Sequence, residues 1–155
     1  MIRRRANRPT TLAGWMSAAV AAAAIAGVAP SATQAASPPT SRPCPSASIV
    51  NAALSEKGTS PTSSKTIYSK TCTYPHSGIV PTKITFQVDT SATFAAGENA
   101  AARVVAIVKI HSLGQAAWAP KVPGSLYVFN NGTTIKILAL LVPTAKIEAL
   151  ARKLL

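Results

Sequence analysis

Few residues in this chain carry side chains that do chemistry, and their spacing limits what they can do. There are two cysteines, Cys44 and Cys72, and two histidines, His76 and His111. The only acids are Glu56, Asp89, Glu98 and Glu148. Cys72 and His76 stand four positions apart in "TCTYPHS". With Cys44 and His111 they would make four ligands for a metal, but the Cys-x2–4-Cys pair usual in structural zinc sites is missing. We therefore expect no metal and no cofactor. Paired with each other, Cys44 and Cys72 form the single possible intrachain disulfide, which an even cysteine count favours in an exported chain.

Acid–base catalysis needs positioned carboxylates or histidines. A triad of a serine, Asp89 and either His76 or His111 would make a small secreted hydrolase. No G-x-S-x-G elbow accompanies it. The phosphate-cradling patterns G-x-x-x-x-G-K and G-x-G-x-x-G are also absent. The chain reads as non-enzymatic, with the hydrolase as its rival. Three aromatics near loops, Tyr74, Trp118 and Tyr127, are the candidates to line a ligand groove. They could equally pack the edge of a small core.

The elements that would position these residues follow from periodicity. "SASIVNAALSEKG" has Ile49, Val50, Ala53 and Leu54 at helical spacing, which predicts a helix over about 46–57 with Gly58 as its C-cap. "KTIYSKTCTY" reads as one strand, 65–74, with Tyr68, Cys72 and Tyr74 on one face. "TKITFQVDT" alternates with Ile84, Phe86 and Val88 inward, and the pair reads as a hairpin. "SATFAAGENAAAR" predicts a helix begun by Ser91 or Thr93 and ending near Arg103. Residues 104–110 fit either a helix end or a strand. "HSLGQAAWAPKVPG" reads as a connection. Asn131-Gly132 between "SLYVF" and "TTIKILAL" marks a type I′ hairpin. "PTAKIEALARKLL" closes the chain as a helix with Ile147, Leu150, Ala151 and Leu154 inward and a Glu148–Arg152 pair.

The N-terminus carries an address. Arg3, Arg4, Arg5 and Arg8 precede an apolar run from Ala18 to Val28. Eleven residues suit a signal-peptide core, which takes about 7–15, and fall short of a membrane span. "TQA" before Ala36 places cleavage between Ala35 and Ala36. Residues 1–35 are read as a signal peptide and 36–43 as a Pro-rich linker, disordered up to the cysteine. Residues 44–155 are read as one exported domain. No lipidation cysteine follows the apolar run, and no transmembrane anchor is expected after cleavage. The expected location is secreted, extracellular or cell-wall associated.

The first 35 residues hold four of the 16 Lys and Arg and none of the four acids, so the remainder carries +8 against +12 for the whole chain. Its bases are scattered, without the aromatic interleaving of a base-stacking platform, which argues against nucleic acid. Weak attraction to anionic wall polymers or lipids is compatible with the charge.

The order of marks resembles an actinobacterial family of exported proteins and lipoproteins whose activity is not established. A proline-rich leader precedes Cys44 and "SIVNAAL", and "TCTY" holds the second cysteine. "SLGQAAW", a glycine-turn hairpin and "AKIEALARKLL" follow. Leu113, Gly114, Ala116 and Ala117 match the family's Gly-Leu-Gly-Asp-Ala loop, while Ser112 and Gln115 depart from it. The resemblance spans about 44–155 and implies that Cys44 and Cys72 are the family's disulfide pair. Taken together, an α+β domain is expected, with an antiparallel sheet of about four or five strands and helices mainly on one face. The expected function is an envelope or secreted protein that binds a small ligand or another protein. The third reading is a structural, surface-exposed protein without a small-molecule ligand.

Overall fold

A computed structural model describes residues 39–76 and 80–155. The expected signal segment, the expected Ala35–Ala36 cleavage point and the start of the expected linker lie outside the described residues. Three helices and seven strands form in the order α1 (Ala47–Leu54), β1 (Thr62–Lys65), β2 (Ser69–Tyr74), β3 (Thr82–Val88), α2 (Ser91–Ala102), β4 (Ile107–Lys109), β5 (Ala116–Pro120), β6 (Ser125–Asn130), β7 (Thr133–Leu138) and α3 (Thr144–Leu154). The strands make one antiparallel sheet ordered β1-β2-β3-β7-β6-β5-β4. It is two meanders joined at their third and last strands, β3 and β7.

The expectation of four or five strands is thus corrected to seven, for reasons that lie in particular residues. The predicted strand 65–74 is a hairpin. Thr66 Oγ1 accepts from the backbone N–H of Tyr68 at 3.2 Å and of Ser69 at 3.0 Å, and the Thr66 N–H donates to Ser69 O at 2.8 Å. A threonine hydroxyl builds this turn without Gly, Pro or Asn, so no punctuation showed. It leaves Ile67 and Tyr68 exposed at the tip, away from Cys72 and Tyr74. β5 was read as a connection because alanines do not display alternation. Yet Ala117 and Ala119 are buried on one face and Trp118 on the other. The 104–110 ambiguity resolves into a turn and β4.

Side chains alternate across each strand, so the sheet has two covered faces. On one face α1 and α3 pack over Cys72, Tyr74, Ile84, Phe86, Leu126, Val128, Ile135 and Ile137, contributing Val50, Leu54, Ile147, Leu150 and Ala151. Burying those apolar side chains supplies most of the folding drive. On the other face α2 packs through Phe94 against Trp118 and Phe129. The helices therefore divide two against one between the faces.

Local chemistry fixes each element. Ser46 caps α1 by accepting from Ile49 N–H, and Ser55 ends it in a left-handed conformation with φ 59°. Gly58 is therefore not the cap. The Asn51 side chain brackets Gly58 through two 2.9 Å hydrogen bonds. Cys44 and Cys72 are disulfide-bonded, and Tyr74 Oη donates to Pro45 O at 2.7 Å, so the entry to α1 is stapled twice to β2. The end of the linker is held too. Lys70 Nζ donates to Arg42 O at 2.7 Å, and the Arg42 guanidinium donates to Leu154 O at 3.4 Å.

The Asn131-Gly132 turn has φ 46° and 72°, as a type I′ hairpin requires. Gly114, in the "SLGQAAW" loop, has φ 63°, and a Cβ there would come within 2.7 Å of Phe129 O. Ser112 and Gln115 in this loop are both engaged. Gln115 Oε1 accepts from Asn131 N–H at 2.8 Å, and Arg152 donates to Ser112 O and Oγ at 2.9 and 2.8 Å rather than pairing with Glu148.

Candidate functional site

A concave feature lies between α2 and the sheet. Its floor is a row of cross-strand neighbours. Trp118 on β5 is opposite Tyr127 on β6, and Tyr127 is opposite Lys136 on β7. The two rings stack with centroids 4.0 Å apart and planes 9° from parallel. Lys136 Nζ sits 5.2 Å from the Tyr127 ring centre, a cation–π contact. Among the described residues, the ion pairs are Lys109–Glu98 and His76–Glu56, so the Lys136 ammonium has no carboxylate partner.

α2 forms the roof. Thr90 caps it by accepting from Thr93 N–H at 3.1 Å, in place of the predicted Ser91 or Thr93. Phe94 reaches down to Phe129, ring centres 5.6 Å apart. Lys109 Nζ, 2.7 Å from Glu98 Oε1, ties the helix to β4. Gly97 and Ala101 face the cavity and keep it open, giving a cleft of about 420 Å³. That volume lies within the range of small-molecule sites.

One end of the cleft is polar. Asp89 Oδ2 accepts from Thr134 Oγ1 at 2.7 Å, and its Oδ1 accepts from Thr90 N–H at 2.8 Å. This holds a carboxylate beside the N-terminus of α2, where the helix dipole favours negative charge. Gln87 and Thr93 complete that end. At the floor, Trp118 is only 5% exposed, and its indole N–H is buried without a hydrogen-bond partner among the protein atoms. A buried donor left unpaired costs about 1–3 kcal/mol.

Of the sequence-predicted site residues, the structure brings Trp118 and Tyr127 together and separates Tyr74 from them. Tyr74 lies on the α1/α3 face, fully buried, and burial pushes its hydroxyl pKa up to about 12. Its single polar atom is committed to Pro45, so it is a core residue.

His76 packs its largely buried side chain against Gly58, with Nε2 2.9 Å from Glu56 Oε2. That contact is a close approach rather than a well-directed hydrogen bond, and Nδ1 has no partner. His111 is exposed in the β4–β5 turn, with β3, β7 and β6 lying between β2 and β5. The two histidines therefore belong to different neighbourhoods. Cys44 and Cys72 spend their thiols on each other. Among the described residues no cluster of three His, Cys, Asp or Glu is placed to hold a metal.

The cleft residues missed in sequence are Gln87, Phe94, Gly97, Thr134 and Lys136, while Asp89 was weighed only as a triad carboxylate. Lys136 was legible in principle. A two-residue turn at Asn131-Gly132 fixes the register outward from Asn130↔Thr133 and sets Tyr127 opposite Lys136. Trp118↔Tyr127 was not legible, because β5 itself was not.

Compared with family models, curated proteins and solved structures, the chain matches none.

Proposed function

We propose that the protein is a non-enzymatic, exported binding protein whose ligand site is the cleft beneath α2. The observation that carries this reading is the convergence in one cavity of a stacked Trp118–Tyr127 floor and a Lys136 ammonium without a carboxylate partner. The ligand that fits this chemistry is small, with a flat apolar body to lie along the aromatic floor. It carries an anionic group for Lys136. Binding sites of this type are mostly apolar with a few placed polar groups. The Arg-led signal segment, the disulfide and the resemblance to exported actinobacterial proteins support a location outside the cytoplasm.

Trp118 itself supplies the test. The chain has two tryptophans, and the other, Trp15, lies in the signal segment. In the processed chain the indole fluorescence reports the cleft alone. Titration with small aromatic carboxylates is expected to give saturable quenching that Lys136→Ala weakens about tenfold, the loss of one charge-assisted hydrogen bond. Saturable binding unaffected by Lys136→Ala and Gly97→Leu together would place the ligand elsewhere.

A further inference from the structure

The two backbone ties at one end of the sheet gather three loops there. Lys121 N–H donates to Ala106 O, and Ala139 N–H donates to Gly124 O, each at 2.8 Å. These bonds bring the α2–β4 turn, the β5–β6 turn and the β7–α3 loop side by side. Their sequences are "RVVA", "KVPG" and "ALLVP". They expose Val104 at 84%, Val122 at 67%, Leu140 at 54% and Leu141 at 91%. Isolated exposed apolar residues are ordinary, but a cluster from three loops is not.

Leu141 adds a second observation. Its φ is 66°, a left-handed backbone that costs a non-glycine residue about 1–2 kcal/mol. Glycine or asparagine would make the same turn, and the leucine side chain recovers nothing by packing on its own fold. Charge points to the occupant. The three loops carry Arg103 and Lys121 and no acid, and exposed Lys83 and Lys146 begin β3 and α3 at the same end. The acids nearby are Glu148, beside Lys121 and Thr144, and Glu56, held by Thr82 and His76, so cations are in excess at this end. Aliphatic tips with an excess of cations match the boundary of an anionic bilayer, where apolar side chains enter the acyl region and Lys and Arg meet the headgroups.

We infer that this end of the sheet is a peripheral membrane-docking tip that inserts Leu140, Leu141, Val104 and Val122 into an anionic lipid surface. No helix among the described residues is long and apolar enough to cross a membrane, so the contact is a reversible one at the interface. The inference rests on these loops and is independent of the cleft.

The test is co-sedimentation of the exported chain, disulfide intact, with vesicles of phosphatidylglycerol and phosphatidylcholine, and with phosphatidylcholine alone. Binding is expected to the mixed vesicles, weaker to the neutral ones, and to fall with salt. Leu140→Ser combined with Leu141→Asn is expected to weaken binding at least about tenfold. Asparagine tolerates the left-handed backbone, so an unchanged melting temperature for that variant separates lost docking from misfolding. Arg103→Gln with Lys121→Gln is expected to weaken binding to mixed vesicles and flatten its salt dependence. Equal vesicle binding by wild type and the leucine variant overturns the proposal, as does no binding by wild type. A wild type that dimerises without lipid, alongside a monomeric leucine variant, also overturns it, because the patch would then be a self-association surface.

Discussion

Gly97 is a glycine in the middle of α2 with no local reason to be one. It does not adopt a positive φ, and a Cβ built there would meet nothing within 4 Å. Mid-helix glycine costs about 0.5–1 kcal/mol relative to alanine. α2 can ill spare this, since Phe94 is its one fully buried side chain. What lies in front of Gly97 is the cleft. Gly97→Ala is therefore expected to stabilise the protein by about 0.5–1 kcal/mol, which at this size raises the melting temperature by about 2–5 °C. Gly97→Leu keeps the helix gain but sends four carbons into a cavity of about 420 Å³, over the aromatic floor. Thermal unfolding by circular dichroism and ligand titration by Trp118 fluorescence are measured on the same samples. The expected result is that stability rises in both variants while binding falls, slightly for alanine and by more than about tenfold for leucine. Gly97→Ala destabilising the fold would refute the claim of open space. Gly97→Leu binding as well as wild type would refute the claim that the cleft is the site.

Other consequences follow from single contacts. Gly58→Ala places a Cβ 2.6 Å from His76 Nδ1, so it is expected to cost about 1–3 kcal/mol in urea unfolding. Replacing both Cys44 and Cys72 by alanine releases a loop of sequence separation 28. Chain-entropy estimates give a loss of about 3–4 kcal/mol in the same assay. Tyr74→Phe leaves Pro45 O without its 2.7 Å donor and is expected to lower stability by about 1 kcal/mol. The Tyr74 hydroxyl also gives a pH dependence with a definite sign. The folded state keeps this proton to about pH 12 while the unfolded chain releases it near 10.0. The contribution is complete below pH 10.0 and is lost as pH rises toward about 12. Wild type is expected to lose more stability than Tyr74→Phe on passing from about pH 9 to about pH 11.

Legibility in the sequence followed the strength of local signals. Asn131-Gly132 is the preferred chemistry of a type I′ turn, and the Ile147, Leu150, Ala151 and Leu154 stripe has helical period, so β6, β7 and α3 stand where expected. An even cysteine count, together with the expected export, was enough to anticipate the Cys44–Cys72 disulfide. The Thr66 turn hid because a hydroxyl did the work usually done by Gly or Asn. β5 hid because Ala116, Ala117 and Ala119 carry little side chain for alternation to act on. The cleft followed the fate of β5. Tyr127 and Trp118 stood out as aromatics, but their stacking depends on a pairing across nine positions that no local rule predicts. Gly97 stands in an alanine-rich helix, and no sequence signal marks the open space before it.

The Trp118 indole N–H is the most direct reporter of the cleft. In a nitrogen–proton NMR spectrum of the chain produced from Ala36 onward this group gives the single indole resonance, since Trp15 precedes that point. Screening small aromatic carboxylates is expected to yield compounds that shift that resonance, together with the Gly97 amide and the amides flanking Lys136. Compounds that bind but leave the Trp118 resonance and the Gly97 amide unmoved would contradict the assignment of the cleft beneath α2 as the ligand site.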